Sequence, residues 1–210
     1  TGGSLFCKFV ADEELQYINN MDMSSLNNDL LIACLSGRDD DTEVSVDSIW
    51  MTTTLLQDGA NTWSNITSNL LTFRWIVSDV VIDPYNPSHF VVTYSGYNDG
   101  NKVFETWNSG ASWSNTSYNL ENVPVNCIAI DPDIPNSVYV GTDLGVFYKE
   151  PEAETWIYYS ENLPPVMVHE LEINSTDNLI YAATYGRGLW RSPLFDECVE
   201  QEKLQIGRTD

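Results

Sequence analysis

The stretch Ile128-Ala129-Ile130-Asp131-Pro132-Asp133-Ile134-Pro135 decides the fold of this chain. Its apolar residues end in a turn rich in Asp and Pro, and a second apolar segment, Val138-Tyr139-Val140-Gly141-Thr142, follows almost at once. Short apolar runs bounded by turn residues indicate β-strands. The stretch therefore predicts two antiparallel strands joined by a tight turn.

The same two-strand unit occurs elsewhere in the chain. Copies begin at Val80-Val81-Ile82-Asp83-Pro84 and at Leu171-Glu172-Ile173-Asn174-Ser175, and a fainter copy begins at Met21-Asp22-Met23. Each copy leads into a second apolar segment. Self-similarity at a regular spacing indicates a repeat architecture.

Tryptophan marks the other half of each repeat. Trp63, Trp113 and Trp156 lie 43 to 50 residues apart, and each follows a third apolar segment and a turn. Four short strands in such a repeat match one blade of a β-propeller. A solenoid fits less well because tight turns separate the strands, and a two-sheet sandwich predicts no internal copy. The predicted fold is all-β: a β-propeller of four-stranded antiparallel blades, with about four blades present as part of a larger propeller.

The ends of the pattern give the predicted domain boundaries. The segment Leu5-Phe6-Cys7-Lys8 matches a third strand, and Gly188-Leu189-Trp190-Arg191 matches another. A fourth strand near Glu14–Ile18 is able to complete the last blade, but further blades upstream account better for the leading third strand. We expect propeller blades over residues 1–195, with partial first and last blades, and a linker or tail over 196–210.

One turn resembles a known motif. The segment from Thr106 to Trp113 resembles the Asp box, Ser/Thr-x-Asp-x-Gly-x-Thr-Trp, with Asn in place of Asp, and the segment from Leu56 to Trp63 is a second, less regular copy. The chain thus resembles the Asp-box (BNR) propellers: sialidases, xyloglucanase-like glycoside hydrolases and sortilin-type receptors. The box residues are expected to be structural, since they shape a hairpin and pack between blades. They are Asp58, Gly59, Trp63, Asn108, Gly110, Trp113 and Trp156.

A second resemblance concerns the later blades. The segments Val138–Phe147 and Ala183–Trp190 resemble the final blades of large secreted Bacteroidetes proteins exported by type IX secretion. This resemblance implies a secreted or cell-surface protein. It also implies a C-terminal sorting region beyond this chain, through which the type IX machinery would be a partner.

The charge balance limits the possible partners. Nine Lys and Arg against 31 Asp and Glu give a formal net charge of −22. Such a surface repels nucleic acid and anionic membranes. No apolar run approaches the roughly 20 residues of a membrane-spanning helix. We therefore expect no nucleic-acid partner and no membrane insertion.

Metal and cysteine chemistry are weakly indicated. The acidic insertion from Arg38 to Asp47 contains Asp39, Asp40 and Asp41, which are candidate calcium ligands, although a solvated hairpin tip is the favoured interpretation. No other cofactor is expected. Cys34 and Cys127 lie in apolar strands and are predicted to be buried thiols, while a bridge between Cys7 and Cys198 stays open.

Two functions remain open. The favoured one is a non-catalytic extracellular or cell-surface module that binds a glycan or a protein, with candidate contacts at Trp75, Tyr97, Tyr158 and Tyr185. The alternative is a fragment of a xyloglucanase-like glycoside hydrolase, which needs two carboxylates across a cleft. Asp79 and Glu170 are the candidate carboxylates, each near the head of a first strand. Whether the chain is an enzyme therefore stays open. The sequence does not show the three arginines of a sialidase site.

Overall fold

A computed structural model of the chain describes residues 16–39, 44–55, 62–70 and 76–195. These residues form fifteen β-strands in four antiparallel sheets, with no helix among them. In each sheet the strands lie side by side in chain order, so that every sheet is a simple meander.

The first three sheets have four strands and the last has three. Blade 1 consists of β1 (Gln16–Met23), β2 (Leu31–Asp39), β3 (Val44–Thr52) and β4 (Trp63–Asn65). Blade 2 consists of β5 (Val77–Ile82), β6 (Phe90–Tyr94), β7 (Val103–Thr106) and β8 (Ser114–Asn115). Blade 3 consists of β9 (Val125–Ile130), β10 (Val138–Thr142), β11 (Gly145–Lys149) and β12 (Ile157–Tyr158). Blade 4 consists of β13 (Val168–Asn174), β14 (Leu179–Thr184) and β15 (Gly188–Pro193).

The Asp and Asn residues of the repeat close the first hairpin of blades 2, 3 and 4. The Asp83 carboxylate accepts the Tyr85 N–H at 2.7 Å, and the Asp131 carboxylate accepts the Asp133 N–H at 2.8 Å. In blade 4 the Asn174 side chain accepts the Thr176 N–H at 3.0 Å. A side chain that bonds the backbone two residues ahead makes an Asx turn, which explains why these residue types recur at this position.

Each first strand contains a β-bulge near its start, and the bulged residues join the blades. Asn19 donates to the carbonyl of Val77 at 3.3 Å, and Ser78 donates to the carbonyl of Val125 at 2.7 Å. Asn126 donates to the carbonyl of Val168 at 3.2 Å, which repeats the contact between blades 3 and 4. The first strands of successive blades therefore run side by side in the same direction. We call the end of the blades that carries these bulges the bulge edge.

Apolar side chains fill the space between neighbouring blades. Blade 1 packs on blade 2 through Cys34 and Ile49 against Phe90 and Val92. The same layering continues to blades 3 and 4, and it gives three buried clusters rather than one central core. Face-to-face packing of twisted sheets around an axis is the architecture of a propeller.

The all-β propeller prediction is confirmed, with three four-stranded blades and one three-stranded blade in the described residues. Cys34 and Cys127 are buried free thiols, as predicted. Two expectations are wrong in detail. Residues 16–18 belong to β1, the first strand of blade 1, and not to a fourth strand. Asp47, assigned to a solvated insertion, is buried in β3 because its carboxylate accepts hydrogen bonds from Ser36 and from the Val77 N–H.

The chain after β15 turns back onto blade 3. The Phe195 ring stacks on Tyr148 with the ring centroids 4.4 Å apart, and the Phe195 N–H donates to the Tyr139 hydroxyl at 2.8 Å. The leading third strand expected at Leu5–Lys8 and the tail expected over 196–210 lie outside the described residues.

Candidate functional site

The first strands of all four blades line one cavity of about 500 Å³, which we call the axial cavity. The turn residues Pro84 and Pro132, at the end of the blades opposite the bulge edge, are among the residues that line it. Four carboxylates line it: Asp22, Asp79, Glu170 and Glu172. The topology thus brings both predicted carboxylates, Asp79 and Glu170, to the same cavity, together with two that the sequence analysis did not select.

Asp79 is buried and its oxygens are occupied by hydrogen-bond donors. It accepts the N–H of Val80 and the N–H of Ile128 in the next blade, each at 2.7 Å. The Asn20 amide of the preceding blade also donates to it. A carboxylate held in this way joins three blades, and its contacts are those of a structural residue.

Burial raises the pKa of Asp79 to about 7, against the opposing effect of the backbone hydrogen bonds from Ile128 and Val80. The negative charges of Glu170 and Asp22 add to the increase. A pKa near neutrality is also what a general acid needs. This property is the feature of Asp79 that favours the hydrolase alternative.

A raised pKa of Asp79 makes the protein less stable as the pH rises. The folded state binds the proton more tightly than the unfolded state, so the stabilisation is complete below pH 3.8 and is lost as the pH rises to about 7. We expect the Asp79 contribution to the free energy of unfolding to fall by about 2 to 3 kcal/mol between pH 5 and pH 8. Urea denaturation at both pH values should therefore show a smaller decrease in Asp79→Asn than in the unchanged protein. The exposed Asp99→Asn is the matched control, and an equal decrease in all three proteins would contradict the assignment.

Asp22 repeats this arrangement one blade earlier. It accepts the N–H of Met23 at 2.8 Å and the N–H of Ile82 in blade 2 at 2.7 Å. Sequence reasoning missed it, although its position in the faint first copy of the repeat was a usable signal. Like Asp79, it couples adjacent first strands.

Glu170 occupies the position after the bulge in β13 that Asp79 occupies in β5. The Glu170 side chain is largely exposed. Its partial burial still raises its pKa, and the charge of Glu172 adds to the increase. The pair Glu170 and Glu172 is the exposed, acidic part of the axial cavity. Carboxylates in this setting accept hydrogen bonds from hydroxyl or ammonium groups of a ligand.

The Asp-box residues of blade 2 shape a hairpin at the end opposite the bulge edge. The Asn108 side-chain oxygen accepts the Thr106 hydroxyl at 2.8 Å and the Ser112 N–H at 2.9 Å. Gly110 has a φ of +80°, and a Cβ at this position would lie 2.6 Å from Cβ of Ile66 in blade 1. A side chain is therefore excluded here by both backbone conformation and contact.

Trp113 and Trp156 each bond to the preceding blade, an arrangement we call the tryptophan clasp. The Trp113 indole donates to the carbonyl of Ile66 at 2.9 Å, while the Asn69 side chain accepts the Trp113 N–H and donates to the Trp113 carbonyl. Trp156 makes the same contacts with Thr116 and Asn119. Both indoles are buried. Trp63, in contrast, is half-buried at the start of β4.

Three of the predicted aromatic contacts lie along the bulge edge. Tyr97 and Tyr185 lie in the turns that follow β6 and β14, and these turns begin opposite the bulged ends of β5 and β13. Tyr158 donates its hydroxyl to the Leu144 carbonyl in the corresponding turn of blade 3. Their exposed fractions are 72% for Tyr97, 50% for Tyr158 and 71% for Tyr185. We call this row of three side chains the tyrosine rim.

Several predicted residues are not placed by the structure. Asp39 ends β2, but its side chain is not described. The described residues contain no group of three or more His, Cys, Asp or Glu side chains able to hold a metal ion. In the same part of the chain, no helix has the length and apolarity needed to cross a membrane. The residues outside the described ranges are Asp40, Asp41, Asp58, Gly59, Trp75, Cys7 and Cys198.

A buried ionic cluster between blades 2 and 3 was also missed by sequence reasoning. His89 donates through Nδ1 to Asp83 at 2.8 Å, and its Nε2 lies 3.5 Å from the Glu105 carboxylate. Lys149 of blade 3 places its Nζ 3.5 Å from the other Glu105 oxygen. The Trp107 ring stacks on His89 with centroids 3.7 Å apart. All four charged side chains are buried, so the cluster holds blades together and does not face a ligand.

No protein-family model matches the chain, and no curated protein matches it either. Solved structures do. The chain is similar to a GH74 enzyme of Niastella koreensis, with 14% identity, a TM-score of 0.61 and coverage of 84% of this chain and 28% of that chain. It is also similar to the GH74 xyloglucanase of Xanthomonas campestris, with 11% identity, a TM-score of 0.61 and coverage of 83% and 29%.

A third similar structure is the β-propeller domain of Cps50 (Swd1) from Myceliophteria thermophila, with 10% identity, a TM-score of 0.52 and coverage of 85% of this chain and 67% of that domain. This chain thus spans less than a third of the length of the two GH74 proteins. At these identities the likenesses concern the fold alone. They agree with the blade architecture, and the chain is a run of β-propeller blades.

Proposed function

We propose that this chain is a non-catalytic binding or adhesion module that acts outside the cell or at its surface and recognises a neutral glycan. The tyrosine rim is the observation that carries this proposal. Exposed tyrosine rings stack on sugar rings through their apolar faces, while the hydroxyl groups bond to water or to sugar hydroxyls. Three such rings on consecutive blades, at one edge, suit a chain of repeated sugar units.

The charge of the protein restricts the glycan. With a formal net charge of −22, the surface repels sulfated and uronic-acid polymers. Neutral polysaccharides carry no charge and are not repelled. Their hydroxyl groups donate hydrogen bonds to exposed carboxylates. The Asp-box resemblance and the resemblance to exported Bacteroidetes proteins support an extracellular setting for such a module, with the type IX machinery as the exporter.

The burial of Asp79 argues against catalysis. A general acid must reach the glycosidic oxygen, whereas both Asp79 oxygens already accept hydrogen bonds from the backbone of two blades. The hydrolase alternative is retained because the pKa of Asp79 is raised to about 7 and Glu170 lines the same cavity. This alternative predicts that Glu170 is the second of the two catalytic carboxylates.

An array of neutral plant and algal glycans, read beside assays for released reducing sugar on the same polymers, tests the proposal. We expect binding without hydrolysis, and at least a tenfold weaker affinity in the double variant Tyr97→Ala/Tyr185→Ala. Tyr85→Ala is the matched control, since this exposed tyrosine lies in the β5–β6 turn away from the bulge edge. Reducing sugar released by the unchanged protein and lost in Glu170→Gln would favour the hydrolase.

A further inference from the structure

Two exposed aromatic side chains lie at the end of the blades opposite the bulge edge. Tyr85, in the turn that joins β5 to β6, is 47% exposed, and Trp107, in the turn that joins β7 to β8, is 49% exposed. The two turns contact each other, since the Ser109 N–H donates to the Ser88 carbonyl at 3.0 Å. We call Tyr85 and Trp107 the turn patch. Neither residue belongs to the tyrosine rim or lines the axial cavity.

The turn patch lies where blades 2 and 3 meet. The Trp107 ring stacks on His89, with the ring centroids 3.7 Å apart, and the buried ionic cluster around His89 extends to Lys149 of blade 3. At Tyr85, desolvation and the charges of nearby carboxylates raise the pKa of the hydroxyl, and the foremost of these carboxylates is Asp133 in the β9–β10 turn of blade 3. One ring thus lies against the ionic contact between the blades, and the other lies near an acidic turn of the next blade.

The charges around the turn patch are mostly negative. Residues 77–158, which form blades 2 and 3, contain eleven Asp and Glu but only two lysines and no arginine, and both lysines are buried. Asp133 is exposed near Tyr85, and Glu152 and Glu154 are exposed in the β11–β12 turn at the same end of blade 3. A cationic group of a ligand is therefore attracted to this end, without competition from exposed cations of the same two blades.

One carboxylate near the patch has an oxygen without a partner. The Asp131 side chain is 1% exposed, and its Oδ2 has no hydrogen-bond partner among the residues that the structure describes. In blade 2 the corresponding oxygen of Asp83 bonds to His89. Blade 3 has Ser137 in place of this histidine, and the Ser137 hydroxyl donates to Tyr148 instead. The charge of Asp131, which also acts on the turn patch, therefore lacks the compensation that Asp83 receives.

We infer that the turn patch is a docking site for an arginine-containing basic segment of a partner protein. In this complex the guanidinium group stacks on the exposed face of Trp107, and the Asp133 carboxylate is its ion-pair partner. Arginine suits the site better than lysine, because its planar guanidinium stacks on aromatic rings and bonds to a carboxylate through two N–H groups. A neutral sugar would not respond to the net negative charge. The site is therefore separate from the glycan-binding function proposed for the tyrosine rim.

The test measures binding of a dye-labelled Gly-Arg-Gly-Arg-Gly peptide to the full chain by fluorescence anisotropy. The buffer contains about 0.15 M salt, where a Debye length of about 8 Å screens the long-range attraction of the acidic surface. We expect saturable binding. Replacing both arginines by citrulline, which has the shape of arginine without its charge, should weaken binding at least tenfold. A peptide with lysine at both positions should bind at least threefold more weakly.

Trp107→Ala should weaken binding at least fivefold, and Asp133→Asn at least threefold. The matched controls Tyr97→Ala and Asp99→Asn remove an exposed ring and an exposed carboxylate from the turn at the bulge edge, and both should stay within twofold. Because Trp107→Ala uncovers His89, Asp133→Asn decides the outcome if that variant does not fold. The inference is overturned if the unchanged protein does not bind the arginine peptide, or if the citrulline peptide binds equally well. Equal effects of Asp133→Asn and Asp99→Asn would also overturn it, because the attraction would then be nonspecific.

Discussion

Replacing Trp113 by alanine should lower the free energy of unfolding by about 3 to 5 kcal/mol, the range for removing a large buried aromatic side chain. The effect is large because the side chain serves two blades. Its ring is part of the cluster that joins blades 1 and 2, and its indole N–H bonds to the Ile66 carbonyl at 2.9 Å. The substitution therefore leaves a cavity and an unsatisfied buried carbonyl together.

Urea denaturation of Trp113→Ala, Trp113→Phe and Tyr97→Ala separates these contributions. The phenylalanine keeps much of the packing but loses the donor, so we expect a loss of about 1 to 3 kcal/mol. Tyr97, at 72% exposure, is the control, and its change should stay within about 0.5 kcal/mol. A loss below about 1 kcal/mol in Trp113→Ala would mean that the clasp does not hold the blades together.

Glu105→Gln should be the second most damaging change, with an expected loss of about 3 to 5 kcal/mol at pH 6. Glutamine has nearly the same shape, so the loss is electrostatic. The Glu105 carboxylate contacts both Lys149 and His89, and for His89 it is the second carboxylate contact. All three side chains are buried. Removing one partner of a buried ion pair leaves the other charge without compensation.

Lys149→Met in the Glu105→Gln background provides the control. The second substitution removes the uncompensated ammonium group and replaces it with an apolar side chain of similar length. We expect the double variant to be more stable than Glu105→Gln alone, since apolar replacements of a buried ion pair are often neutral. Strictly additive losses in the double-mutant cycle would show that Glu105 and Lys149 are not coupled.

The same cluster has a defined pH window. Burial alone would lower the pKa of His89, but Asp83 and Glu105 outweigh this effect and raise that pKa above 6.5. The stabilisation of the fold by protonated His89 is therefore present below pH 6.5 and is lost as the pH rises through the folded-state pKa. Burial alone would raise the pKa of Glu105, but His89 and Lys149 hold it below 4.5, so its stabilisation is lost as the pH falls. The cluster therefore stabilises the fold most between about pH 4.5 and pH 6.5. In Glu105→Gln the loss on the acid side should be smaller.

The repeat was readable because it depends on local chemistry. Asp83 and Asp131 close their own hairpins two residues ahead, and Gly110 meets a backbone conformation that other residues avoid. Trp113 and Trp156 recur because each packs between its own blade and the preceding blade. Each of these contacts closes a local turn or is repeated from one blade to the next, so they leave a periodic pattern that predicts strands, turns and blade architecture.

The roles of the site residues were harder to predict from the sequence because they depend on contacts between neighbouring blades. Asp79 reads as a candidate acid in the sequence, yet its second oxygen is occupied by Ile128, 49 residues later in the chain. Asp47 reads as part of a solvated insertion, yet it bonds to the backbone of Val77 in the next blade. Nothing in the local sequence of either residue reports the neighbouring blade that buries it.

The sequence by itself thus determined the pattern of four-stranded blades and the residues that shape their turns, because these follow from short-range patterning. The tertiary structure decided which acidic residues are structural, which tyrosines share one edge, and where Glu105 finds Lys149, because burial and charge pairing arise between residues far apart in the chain.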